Sequence, residues 1–305
     1  MNRETYTNKI KKLIEKRDNR SLLYLFISYL TIISSFILLY YYQSMPFYVL
    51  IFIIIGIMQY RIVMSCHEAV HYGLFASKSM NEIFGNINCS LVGLNLNAYR
   101  KQHIIHHRAR SISEDSDAYI YLPIINADPG IKRILVWIFG TIPEIISKFR
   151  MKGMDSHNKN EGLRIFDINK WGIFISNAFL FLLLSKIFKW YFYFIFWLMP
   201  ILTIAVFLNR TRVFIEHGYT HLINKKSIKS LNDSPVETID IVSNRFERFI
   251  ISPFSFNYHY THHQLPTMPY YNNKYLQKIF LEKEENKHFV VDKTYSRMLM
   301  ILLRN

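Results

Sequence analysis

The sequence predicts an all-α integral membrane fold: four transmembrane helices in two hairpins, under a cytosolic helical cap. Three observations predict it. Half of the 305 residues are hydrophobic, and they gather in runs too long for ordinary soluble helices. Lys and Arg total 37 against 22 Asp and Glu, and they flank those runs. Histidines recur at helical spacings just beyond the apolar stretches.

The elements follow in order. Segment 1–20 is polar and basic, with Arg3, Lys9, Lys11, Lys12, Lys16, Arg17 and Arg20. The run 21–42 is apolar, and at ~1.5 Å per residue it is long enough to cross a hydrocarbon core of ~30 Å. It lacks the short apolar core and small-residue cleavage site of a secretory signal, so it reads as a retained span. Gln43, Ser44 and Pro46 make an uncharged turn, and 47–64 forms the second span, interrupted only by Arg61. Runs 171–187 and 190–208 form the second hairpin. Lys186 and Lys189 lie between them, where long side chains snorkel to an interface. Trp171, Trp190, Tyr191 and Tyr193 suit an aromatic belt. Pro200 is expected to kink the fourth span, because its ring removes a backbone donor.

The positive-inside rule places 1–20, 65–170 and 209–305 on the cytosolic side, with Lys186 and Lys189 opposite them. Two stretches in the cap, 83–96 and 131–149, mix apolar with polar positions and read as interfacial helices. The chain reads as a single domain, 1–305, multi-pass, in the inner membrane if the source is bacterial.

A formal charge of +15 would suit nucleic acid. The basic residues flank apolar spans and show no nucleic-acid fold signature, so anionic headgroups are the expected counter-charge. Cys66 and Cys89 form neither a disulfide framework nor a Cys-x-x-Cys motif, and they read as small buried residues.

Twelve histidines are present, and ten fall in four groups: His67 and His71; His103, His106 and His107; His217 and His221; His259, His262 and His263. Offsets of three and four bring each group to one helix face. Neutral imidazole is the commonest metal ligand. One metal takes at most about six ligands, so this many histidines imply two metals. Iron accepts an imidazole-rich shell, whereas zinc needs only about three or four protein ligands. All four groups fall on the side already assigned to the cytosol. His157 and His288 sit in charged stretches and read as solvated. His221 is left open between ligand, support and solvent-facing roles.

These motifs resemble those of the membrane fatty acid desaturase family. The first box is His67-Glu68-Ala69-Val70-His71. The second runs from Tyr99 through His103, His106 and His107 and is followed by Asp115 and Asp117. Arg212-Val213-Phe214-Ile215-Glu216-His217 is similar to the family's Arg-x-x-x-Glu-His element. Asn257-Tyr258-His259-Tyr260-Thr261-His262-His263 is the third box, followed by Pro266, Pro269, Tyr270 and Tyr271. The resemblance implies a di-iron centre held by His67, His71, His103, His106, His107, His217, His259, His262 and His263, with O2 as co-substrate. It further implies that Glu68, Asp115, Asp117, Arg212, Glu216, Asn257 and His221 support those imidazoles. No catalytic residue is assigned beyond the metal ligands.

No His-Pro-Gly-Gly stretch marks a fused cytochrome b5 domain, so electrons are expected from a separate ferredoxin or cytochrome b5 type carrier with its reductase. The expected reaction places a double bond in an acyl-lipid or acyl-thioester chain, with hydroxylation or ketolation as the alternative outcome of the same centre. A rival reading, a membrane zinc protease built on His67-Glu68-x-x-His71, leaves both His-x-x-His-His boxes unused. A metal transporter would place ionisable groups within the spans, and these spans hold almost none.

Overall fold

Among the described residues of the computed structural model, three helices are long and apolar enough to cross a membrane. The structure describes residues 3–15, 18–143, 168–223, 234–282 and 289–304. After a short helix α1 (Arg3–Leu13), α2 (Asp18–Tyr41) and α3 (Met45–Val70) pack against each other. Pro46 opens α3 in its first turn, where no helical partner for its missing N–H is required. The third long helix, α9, runs without interruption over Tyr191–Ile223. The third expected span, 171–187, is an apolar but shorter helix, Trp171–Ile187, within α8 (Ile168–Ile187). Leu23, Phe26, Ile33 and Ile37 on α2, and Phe174, Ile175, Phe179 and Leu182 on α8, are exposed. Large apolar faces of this kind mark contact with lipid or another apolar partner.

Two of the long helices run further than the hydropathy pattern suggests. The second continues past 64 to Val70 and carries His67 in its last turn. The last continues well past 208, so Arg212, Glu216, His217 and His221 ride on the same rod. Around Pro200 the expected disturbance takes the form of two π-helical turns, Phe194–Leu198 and Ile201–Ala205. The wider turns free backbone carbonyls, and Gln59 Nε2 donates to that of Trp197 at 2.9 Å. Nearby, α3 and α9 cross closely: a Cβ at Gly56 would lie 2.5 Å from Cβ of Ile204.

The stretch expected to form the cap begins with α4 (Lys78–Leu91), capped by Ser77, which accepts from Met80 N. Its pattern is inverted: Asn81, Asn88 and Ser90 are buried while Ile83 and Ile87 are exposed. Asn88 donates to Ser65 Oγ at 2.7 Å and accepts from Tyr29 Oη, so the polar face ties α4 to α2 and α3. Next come α5 (Leu96–Arg108), α6 (Ala118–Ile125) and α7 (Ile131–Phe139). The remainder of the 131–149 stretch beyond 143, together with His157 and His288, lies outside the described residues.

After α9 come β1 (Asp240–Ile241), α10 (Arg245–Ile250), α11 (His259–Gln264), α12 (Asn273–Leu281), β2 (Val290–Val291) and α13 (Tyr295–Arg304). Strands β1 and β2 pair in parallel. One apolar core sits among α2, α3, α4, α8 and the first half of α9. A second packs α6 and α13 around Val213, Phe214 and Ile215. The histidines lie where these two cores meet. Cys66 and Cys89 are free and buried.

Candidate metal centre

Four segments bring the histidines together. His67 sits in the last turn of α3 and His71 is its C-terminal cap. His103, His106 and His107 lie on α5, His217 on α9, and His259, His262 and His263 on the single turn and a half of α11. The imidazoles sort into two groups. His67, His71, His103, His107 and His262 form one; His106, His217, His259 and His263 form the other. Within each, one ring nitrogen per residue lies within 4.8 Å of all the others. Ring centroids are 4.2 Å apart for His67 and His103, and 5.0 Å for His106 and His217. The groups adjoin where His107 stacks on His263 at 4.2 Å. The helical offsets explain the sorting: on α5, His103 and His107 are four residues apart and face one group, while His106 turns to the other.

The donor set suits metal. His67, His103, His106, His217, His259 and His262 are each at most 3% exposed. The Nε2 atoms of His67, His71, His262 and His263 are buried with no hydrogen-bond partner among the described residues. Such buried nitrogens cost roughly 1–3 kcal/mol each when unsatisfied, and metal ligation removes that cost. In two further pairs, His103 with His107 and His217 with His259, the Nε2 atoms point at each other at 2.9 Å, as ligands sharing a central point do.

Burial favours neutral imidazole, the ligating form. It holds His71 down at about 3 and His107 at about 2. It also drives His103, His259, His262 and His263 well below the ordinary range. For His106 burial pulls the same way, but the carboxylates of Asp117 and Asp115 outweigh it and raise the group.

The polar supports divide unevenly. His106 Nδ1 donates to Asp115 Oδ1 at 2.6 Å, and Tyr121 Oη donates to Asp115 Oδ2 at 2.6 Å. Burial alone would raise Asp115, yet its hydrogen bond and charge contact with His106 hold it at about 2. Asp117 accepts from Gln102 Nε2 at 2.9 Å. Arg212 Nη1 donates to Glu216 Oε2 at 2.5 Å, and Tyr295 Oη donates to Glu216 Oε1 at 2.6 Å. Glu216 Oε2 lies 3.4 Å from His259 Nδ1, and Glu68 Oε1 lies 3.3 Å from His67 Nδ1. Asn257 works differently: its Nδ2 donates to the Ile241 carbonyl at 3.1 Å, fixing the loop before α11 rather than an imidazole. His221 is buried but belongs to neither group.

Five further residues, not singled out by the sequence, shape the site. Tyr121 stacks on His217 at 5.2 Å. Phe256 packs on His67 at 4.4 Å and under the Arg212 guanidinium at 4.5 Å. Tyr295 and Gln102 make the bonds described above. Asp240 accepts from Thr261 N at 3.0 Å, Thr261 Oγ1 at 2.5 Å and Gln277 Nε2 at 2.9 Å. Tyr121, close in sequence to Asp115, and Gln102, directly before His103, carry a local hint.

The fatty acid desaturase family model matches residues 13–294. The chain belongs to the fatty acid desaturase family. No curated protein matches the chain. Family membership makes this desaturase-family chain an oxidoreductase, and with its long apolar helices a membrane protein. The zinc-protease reading uses His67, Glu68 and His71 and leaves seven gathered imidazoles without a role.

Proposed function

We propose that the chain is a membrane di-iron oxidase that uses O2 and electrons from an external carrier to introduce a double bond into a fatty acyl or lipid-like chain. The observation that carries this reading is the sorting of nine buried or half-buried imidazoles into adjoining groups of five and four. Each group suits one iron. When bound, the iron pair supplies O2 activation and removal of hydrogen from an unactivated C–H bond. The protein's own residues hold the imidazoles in place, favour the neutral form of most of them by burial, and exclude water from the site. Asp115 holds the Nδ1 proton of His106, which leaves the other ring nitrogen for metal.

The chain is proposed to cross the membrane four times, with Trp171–Ile187 as the remaining span. Seventeen residues rise about 26 Å at ~1.5 Å each, close to the hydrocarbon thickness, and Lys186 and Lys189 snorkel at its end. The histidine groups then face the cytosol with the basic segments, where a ferredoxin or cytochrome b5 type carrier reaches them. Hydroxylation or ketolation remains the alternative outcome of the same centre.

The test is co-expression with a carrier and reductase, followed by mass spectrometry of total lipid and of added acyl substrates. Products lighter by two hydrogens are expected. Products heavier by one oxygen would transfer the assignment to hydroxylase. Unchanged lipid with fully iron-loaded protein would overturn both.

A further inference from the structure

At the N-terminal end of α2, where the first candidate span meets the cap, lies an open cavity of about 210 Å³ lined by Arg20, Arg248, Lys274, Ser255, Tyr258 and Tyr270, among others. None of its lining residues is a histidine or a carboxylate. Among the described residues the three cations make no ion pair. The Arg20 guanidinium lies over the Tyr271 ring at 4.7 Å, and Arg248 Nε donates only to the Asn244 carbonyl at 3.4 Å.

Cations gathered around a concavity without acid call for an anion. Two guanidinium forks beside an ammonium suit phosphate, because arginine matches its oxygens in pairs while lysine adds a point charge. The size agrees: pockets that engulf a whole drug-sized ligand run to about 300–1,000 Å³, so this one holds a headgroup fragment whose remainder stays outside. Position agrees as well. Arg20 begins the first candidate span and so stands at headgroup level.

The cavity is also joined to the metal site. Its wall includes the loop of Phe254 and Ser255, both left-handed at φ 55 and 57°, a conformation that costs non-glycine residues roughly 1–3 kcal/mol each. Ser255 lines the cavity, while its neighbour Phe256 packs on His67 at 4.4 Å. Tyr258 lines the cavity, and the next residue is His259.

We propose that this cavity binds the phosphate ester of the acyl substrate's headgroup, a glycerophospholipid at the membrane surface, and thereby sets which carbon of the chain reaches the histidine groups. The inference rests on the acyl-chain oxidase reading, and its test is a binding measurement that needs no turnover.

Full-length protein in maltoside micelles is titrated with dihexanoylphosphatidylglycerol, dihexanoylglycerol, inorganic phosphate and coenzyme A. Wild type is expected to bind the phospholipid about tenfold or more tightly than the uncharged diglyceride, and Arg248→Gln and Lys274→Gln are each expected to weaken it by about tenfold, the scale of one charge-assisted hydrogen bond. Both side chains are exposed, so these variants should fold. Equal binding of phospholipid and diglyceride, or wild-type affinity in both variants, overturns the proposal. Inorganic phosphate binding as tightly as the phospholipid overturns the headgroup role. Tight coenzyme A binding that both variants weaken keeps the phosphate site but overturns the lipid source in favour of a soluble thioester. Phospholipid binding without any oxidised product sinks the oxidase reading and leaves this site standing.

Discussion

At the scale of single residues, the imidazoles divide by what holds their second nitrogen. His106 is the most firmly set, since Asp115 accepts its Nδ1 proton while Asp115 itself is held by Tyr121 and by the Asp117 backbone N–H at 2.8 Å. Replacing Asp115 by Asn keeps the shape but removes the charge. Loss of such a supporting carboxylate costs about 10–100-fold in metal affinity, so Asp115→Asn should retain substoichiometric iron after dialysis. Tyr121→Phe, which removes only one hydrogen bond to the same carboxylate, should lose less. Elemental analysis of folded protein decides it, and full iron in Asp115→Asn would refute the role given to His106. His262→Ala tests the other group. Its Nε2 has no protein partner among the described residues, so the change removes a ligand nitrogen that nothing else in the protein occupies. Iron content and turnover should collapse while the thermal midpoint of the metal-free protein stays close to wild type. A variant that turned over normally would contradict the ligand set.

At the scale of elements, the contrast is between long rods that place their histidines by themselves and a short helix that does not. On α5 and α9 regular helical spacing aims the rings. The six residues of α11 are too few to hold an orientation alone. Asp240 does it instead, binding Thr261 in the middle of the turn through both its backbone N–H and its hydroxyl. Asp240→Ala leaves that buried N–H unpaired, a cost of roughly 1–3 kcal/mol. The variant should unfold at lower temperature and lose iron, with Asp240→Asn intermediate because its amide oxygen still accepts. Differential scanning fluorimetry with iron assay checks both, and a wild-type midpoint in Asp240→Ala would show that α11 is positioned by something else. The same contrast explains what was legible in the sequence. His-x-x-His-His is a local pattern, and so is a run of twenty apolar residues, so both could be read directly. Hydropathy ended the second and fourth spans early because polar ligands entered rods that nonetheless continue as helix to Val70 and Ile223. The bond from Tyr295 to Glu216 spans 79 residues, and Asp240 meets Thr261 across 21. Contacts like these exist only once the cap has closed, so no spacing rule announces them. The inverted face of α4 was hidden for a related reason: which side of an amphipathic helix faces inward is set by its neighbours, here Ser65 and Tyr29.

At the scale of the whole molecule, the histidines join distant parts of the chain, alongside contacts such as Tyr60 Oη donating to the Ile251 carbonyl at 2.7 Å. Ligand candidates come from the end of α3, from α5, from α9 and from α11, and they sit at the boundary between the core of the long helices and the core of the cap. The spans keep their backbone hydrogen bonds within each helix and should hold together without metal. Segments α5 and α11 meet α3 and α9 at the cluster, so loss of metal should be felt there first. A metal that binds the folded state stabilises it by mass action, about 2.7 kcal/mol when its free concentration is a hundred times its dissociation constant. Removing iron with a chelator should therefore destabilise the molecule unevenly. Hydrogen exchange is expected to rise first in α11, α5 and the β1–β2 pair, while α2 and the first half of α3 exchange as slowly as before. Adding back iron should restore protection in the cap, and adding zinc should do so only partly, since a four-coordinate ion cannot engage all five imidazoles of the larger group. Uniform acceleration in spans and cap alike would mean that the metal centre is not the joint between the two cores, and unchanged exchange on full removal of iron would mean that packing alone holds the cap in place.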